Sequence, residues 1–116
     1  MKRQLAEARG RKAETMAAWW LRLHGWRILA HRARGPGGEV DLVARRGRIV
    51  AFVEVKQRRS ADAAAWALDD YRLRRVAVAV QKLAPRYARE GDDIRIDAMF
   101  VVPGRLPRHL PNVWQG

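Results

Sequence analysis

The sequence predicts an α/β fold in the order helix, three strands, helix, strand. Three observations carry this. Two stretches, ending near His24 and Tyr87, place apolar residues at helical spacing. Two β-rich runs, Gly38–Arg46 and Ile49–Lys56, flank a break at Gly47, as in a hairpin. A last β-rich run, Ile94–Val102, stops at Pro103-Gly104.

The first helix falls within residues 4–24 and begins in earnest near Arg11. Met16, Trp19, Trp20 and Leu23 at i, i+3, i+4 and i+7 mark its expected apolar stripe, with Trp19 and Trp20 as core and core-edge residues. His24-Gly25 is its stop signal, the glycine suiting a C-cap. Trp26–Arg32, bounded by Gly25 and Gly35, reads as a short strand, and Arg34–Gly38 as a flexible turn. Gly47-Arg48 fits a two-residue hairpin loop with glycine first. That loop sets Arg46 across from Ile49, Asp41 across from Glu54 and Glu39 across from Lys56, all four acidic and basic site positions sharing one face. The other face carries Val40, Leu42, Ala44, Ala51, Val53 and Val55. Ala61–Ala67 is expected to be a loop with a helical turn. Asp69 caps the second helix, whose buried side is Leu73, Val76, Ala77, Val80, Ala84 and Tyr87, and Pro85 is expected to kink it or end it early. The chain thus divides into a domain over 1–103 and an irregular tail over 104–116, with Trp114 tucking against the body.

Composition narrows the function classes. The 116 residues are 48% hydrophobic, which suits one compact domain. Cysteine is absent, so disulfides, thiolate catalysis and thiolate-bound zinc are excluded, and a cytoplasmic location is expected. No apolar run approaches the ~18 residues of a membrane span. The charged residues after Met1-Lys2-Arg3, from Glu7 to Glu14, argue against a signal peptide. A formal net charge of +12 makes polyanions the natural partners, and nucleic acid the favoured one.

The chemistry lies in the hairpin register. Carboxylates directly across an antiparallel pair stand roughly 5 Å apart at Cβ, and at an effective dielectric near 20 they repel by about 3 kcal/mol. A shared proton, nearby arginines or a divalent cation such as Mg²⁺ or Mn²⁺ can offset this. Only the cation also explains Lys56, which sits two residues after Glu54 on its side of the strand, placed to act on a phosphate and an attacking water. The plain alternative is a solvated hairpin with Glu39–Lys56 and Asp41–Arg ion pairs. Glu14, read alone, is an acid favoured near a helix N-terminus. Arg72, Arg75, Lys82 and Arg86 recur at helical intervals, and with Arg58 at the basic strand end they form a candidate phosphate-tracking surface.

The order helix, three strands, helix, strand, with Gly38-Glu39-Val40-Asp41 and Val53-Glu54-Val55-Lys56 at this spacing, resembles the restriction-endonuclease-like PD-(D/E)xK superfamily. With Gly10–Glu14, Ala17, Ala18, Arg58 and Arg95-Ile96-Asp97, it more closely resembles the YraN family of small bacterial proteins. The resemblance implies a mixed sheet flanked by helices and a metal-dependent DNA nuclease, acting on branched or irregular DNA. It assigns Asp41 and Glu54 to the metal, with the backbone carbonyl of Val55 as a further ligand, and Lys56 to catalysis. It also makes Glu14 a site-lining acid, as in the Holliday-junction-resolvase branch, whose members act as homodimers. Arg72 stands where the resemblance leads one to expect lysine or glutamine. The superfamily includes members that bind without cutting, so a non-catalytic nucleic-acid-binding module is the alternative function.

Overall fold

The computed structural model describes residues 2–62 and 66–114, with side chains from residue 10 onward. Of the expected loop with a helical turn, residues 63–65 lie outside the described residues, and Trp66 occupies a single short turn. The elements run α1 (Lys2–Leu23), β1 (Arg27–Gly35), β2 (Gly38–Arg46), β3 (Ile49–Gln57), α2 (Asp70–Tyr87), β4 (Asp93–Val101) and β5 (Arg108–Leu110). They form a five-stranded mixed sheet in the order β1-β2-β3-β4-β5, with α1 and α2 on opposite faces. This is a restriction-endonuclease-like αβββαβ core with one added strand. Among the described residues no helix is long and apolar enough to cross a membrane.

Helix α1 starts earlier than its apolar pattern suggested and buries a different stripe. Ala13, Ala17, Ala18 and Leu21 face the sheet, with Met16 and Trp20 partly covered. Trp19 remains 59% exposed and Leu23 75% exposed, so Trp19 is not a core residue. Alanines let the helix backbone approach the sheet closely, and an indole at the same contact would hold it away. The predicted glycine stop is confirmed. Gly25 has φ 87°, its N–H bonds Arg22 O at 3.1 Å, and Trp26 N–H bonds Leu21 O at 2.9 Å. This pair of bonds is the Schellman closure that satisfies orphan helix carbonyls.

The β2–β3 register matches the expectation, running from Arg46↔Ile49 to Leu42↔Val53 around a loop in which Gly47 has φ 62°. The paired ladder stops at Leu42, short of Asp41 and Glu54. Strand β1 continues to Gly35, further than the sequence indicated, and only Pro36-Gly37 connect it to β2. A Cβ on Gly37 would lie 2.9 Å from both Lys82 Cγ and Val78 O, so the hairpin tip packs on α2 only because no side chain is there.

Two cores lie on either side of the sheet. Toward α1, Leu42, Ala44, Ala51 and Val53 pack with Met99 and Val101, and Val55 is partly buried there. Toward α2, Val43, Val50, Phe52 and Ile96 meet Val76, Ala79, Val80 and Leu83. Val40 departs from strict alternation and joins the α2 side. It lies where β2 is no longer paired to β3 and where the neighbouring β1 backbone turns left-handed at Arg32 (φ 51°).

Asp69 caps α2 as predicted, its side chain accepting from Tyr71 N–H at 2.9 Å. The helix ends two residues after Pro85. Strand β4 pairs parallel to β3, from Ile49↔Asp93 to Gln57↔Val101. The stretch expected as an irregular tail contains β5, antiparallel to β4 through Met99↔His109 and its neighbours. Arg-His-Leu carries little β signal of its own, and the strand forms because the open edge of β4 offers unpaired backbone groups. Beyond it Val113 N–H bonds Ile96 O at 2.8 Å, and Trp114 packs on the α2-side core, as expected.

Candidate active site

Asp41 stands just beyond the last paired residue of the β2–β3 ladder. With no backbone partner there, Val55 N–H donates to Asp41 Oδ2 at 2.7 Å, so the carboxylate takes the place of a ladder carbonyl. Within a strand, a residue's N–H and C=O point to the same side. Val55 therefore directs its carbonyl oxygen toward the same gap in which Asp41 lies.

Burial, with the neighbouring Asp41 carboxyl, pushes the Glu54 carboxyl up to about 8, against partial relief from Lys56 and Arg72. Lys56 Nζ lies 3.7 Å from Glu54 Oε1, beyond hydrogen-bonding distance, and its side chain is only 11% exposed. The Lys56 ammonium is thus held at the cleft in a loose ion pair with Glu54.

These groups open on a cleft of about 240 Å³ on the α2 side, lined by Glu39, Glu54 and Lys56 from the sheet, the glycines at 37 and 38, and Arg72 and Arg75 from α2. Helix α2 is seated on β1 and β2 by the close contact at Gly37, which brings Arg72 to the site. Glu39 faces the cleft but pairs with Arg34 (2.9 Å) rather than with Lys56 across the strands.

Glu14 reaches this end of the sheet through an intermediary. Its Oε2 accepts from Arg32 Nε at 3.0 Å, and that bond and charge, with lesser help from Glu39 and Asp41, raise the Arg32 guanidinium further above its ordinary range. Arg32 sits between the β1 residues paired with Leu42 and Val40, which places it beside Asp41. Its left-handed φ of 51° is unusual for an arginine inside a strand, and such backbone gathers at functional sites. Sequence reasoning missed Arg32, because no periodicity or motif singles out one arginine among several in β1.

The remaining predicted contacts separate. Arg72 and Arg75 line the cleft. Lys82 packs its stem near the hairpin tip at Gly37 and is not among the cleft-lining residues. Arg58 lies past the strand end, donating to Gln57 O at 3.0 Å with its guanidinium over Phe100.

The donor set suits a hard cation: the Asp41 and Glu54 carboxylates and the Val55 carbonyl, all oxygen, belong to neighbouring positions around the gap in the ladder. Among the described residues no three acidic, histidine or cysteine side chains gather as a ready metal cage. A six-coordinate ion would therefore complete its shell with water and phosphate, as Mg²⁺ usually does.

Residues 13–101 match the model of the uncharacterised protein family UPF0102. The chain is 67% identical over 115 residues to a UPF0102 protein of Sphingopyxis alaskensis, covering 99% of both chains. It is 57% identical to one of Rhizorhabdus wittichii, covering 99% of this chain and 98% of that one, and 54% identical to one of Erythrobacter litoralis, covering 99% of both. From its helix-borne Ala13 to the end of β4, this chain belongs to the UPF0102 family, the YraN family that its two acidic strand motifs resemble.

Proposed function

We propose that this protein is a metal-dependent nuclease that hydrolyses DNA phosphodiesters, with branched or otherwise irregular DNA as its substrate. The observation that supports it is the Asp41–Glu54 pair at a break in the ladder, with Val55 N–H fixing one carboxylate and Lys56 beside the other. When bound there, Mg²⁺ or Mn²⁺ supplies positive charge against phosphate oxygens and acidifies nearby water. Asp41, Glu54 and the Val55 carbonyl would hold the ion. Lys56 orients the attacking water and stabilises charge on the phosphate, and the Arg72 and Arg75 guanidiniums hold phosphates within the cleft. Glu14 acts by fixing Arg32 beside Asp41.

The experiment incubates the protein with flap, junction, single-stranded and duplex DNA plus Mn²⁺, beside Glu54→Ala and Lys56→Ala. Cleavage by the wild type alone is expected. Failure to cut any substrate, together with no calorimetric Mn²⁺ binding, overturns the reading.

A second reading is a nucleic-acid-binding module without catalysis. One feature favours it: burial pushes the Glu54 carboxyl up to about 8, and a protonated Glu54 sits beside Asp41 without charge repulsion and without any cation. It predicts salt-sensitive DNA binding that is indifferent to Mg²⁺ and to Asp41→Asn.

A further inference from the structure

Beyond the cleft, on the same face of the sheet, four side chains from three segments stack in alternation. The Arg58 guanidinium lies over Phe100 at 5.3 Å, Phe100 meets Trp66 edge-on at 5.1 Å, and the Arg108 guanidinium covers Trp66 at 5.0 Å. Register fixes this row relative to the site. Lys56 pairs with Phe100 and Phe100 pairs with Arg108, so Lys56, Phe100 and Arg108 point to one face along a line crossing β3, β4 and β5. Strands stand about 4.8 Å apart, which puts Arg108 about 10 Å from Lys56, a reach of a few nucleotides along one strand of DNA.

Four arginines are matched to carboxylates: Arg32 to Glu14, Arg34 to Glu39, Arg45 to Asp92 and Arg95 to Asp97. Arg108, exposed on β5, is in no such pair among the described residues. Stacking uses the flat face of the Arg108 guanidinium and leaves the N–H donors around its rim for an anion, while Arg58 donates to Gln57 O at 3.0 Å and adds charge to the row. Phe100 is fully buried and Trp66 Nε1 donates to Ala61 O at 3.1 Å, so the aromatic support is fixed in place.

We infer that the Arg58–Phe100–Trp66–Arg108 row is a phosphate track that carries one nucleic-acid strand from the cleft across the sheet end to β5. The ligand is a phosphodiester backbone, read by charge and without base recognition. This inference rests on the proposed nuclease reading for the direction of the strand, and on the row itself for the contact.

The test is a fluorescence-anisotropy titration of the full chain with labelled duplex and junction DNA between 50 and 200 mM salt, without divalent cations. Arg108→Ala is expected to lower the slope of log affinity against log salt by about 1 and to weaken binding severalfold at the lower salt. Trp66→Leu, which removes the support and keeps the charge, is expected to weaken binding with a smaller change in slope. Arg48→Ala, in the β2–β3 loop at the far end of the sheet, is the control expected to change neither. Circular dichroism confirms that each variant is folded. If the wild type cleaves DNA but Arg108→Ala binds like Arg48→Ala, the track is wrong and the nuclease reading stands. If Arg108→Ala lowers the slope while no substrate is cut, the track stands and the nuclease reading falls. Absence of DNA binding by the wild type overturns the track.

Discussion

The sheet holds two sets of buried acids, and they are built in opposite ways. In the middle of β4, Asp97 is fully buried yet hydrogen-bonded through both oxygens. Arg95 donates to both its oxygens at 2.8 and 2.9 Å, His109 Nε2 lies 2.7 Å from Oδ2, and Asn112 N–H donates to Oδ1 at 2.9 Å. Burial would raise this carboxyl, but the bonds from His109, Arg95 and Asn112 outweigh it and hold it below the usual range. Near the end of β3, Glu54 and its β2 neighbour Asp41 have one backbone donor, Val55 N–H to Asp41 Oδ2, and the Lys56 ammonium 3.7 Å from Glu54 Oε1. Both sets cost desolvation. The first recovers it from the chain's own groups, so Asp97 ties β5 and the tail to the body, whereas the second has far fewer donors of its own, as suits the metal site proposed above.

The sharpest way to break this contrast is metal binding. Glu54→Gln is expected to weaken Mn²⁺ binding by at least about 100-fold in calorimetry, and Asp97→Asn to leave it unchanged. Equal Mn²⁺ affinity in wild type and Glu54→Gln would remove the distinction between the two sets. Next in size is stability. Asp97→Ala leaves Arg95 and the Asn112 N–H without their acceptor and is expected to cost about 3–5 kcal/mol in urea unfolding. A loss below about 1 kcal/mol would show that Asp97 anchors nothing.

The pH responses have opposite signs. Glu54 binds its proton more tightly folded than unfolded, so stability of the metal-free chain is expected to fall as pH rises from about 4.5 to about 8. The slope approaches about 1.4 kcal/mol per pH unit at most, and Glu54→Gln flattens it. Asp97 is depressed, so its contribution is present above the ordinary value of 3.8 and lost as pH falls below it. Urea midpoints measured from below 3.8 to about 8 test both signs, and a profile unchanged by Glu54→Gln would refute the first. The smallest effect concerns Glu14. Because its carboxylate is committed to Arg32, Glu14→Gln is expected to slow cleavage about tenfold with Mn²⁺ affinity retained. A parallel loss of Mn²⁺ affinity would make Glu14 a ligand instead.

Much of this arrangement was legible in the chain. Gly47-Arg48 fixed the hairpin register as far as Leu42↔Val53, and Asp41 and Glu54 follow directly beyond that last pair, because register within a hairpin is geometric and local. Asp69 and Gly25 announced their helix ends for the same reason, each cap being a contact within a few residues. The face of α1 was misread because hydrophobicity favours burying tryptophan, while the sheet accepts only what fits, and alanines fit closer. Strand β5 was invisible because its cause is the open edge of β4 and not its own residues.

What the sequence by itself determined is the order of elements, the acid pair and the lysine beside it, all consequences of short-range backbone periodicity. Tertiary structure alone decided that Glu14 would meet Arg32, that Arg72 would join the cleft, that Val40 would change sides and that Asp97 would collect donors from β4, β5 and the tail. Those contacts join residues far apart in the chain, and their geometry depends on how closely helices and strand edges can approach.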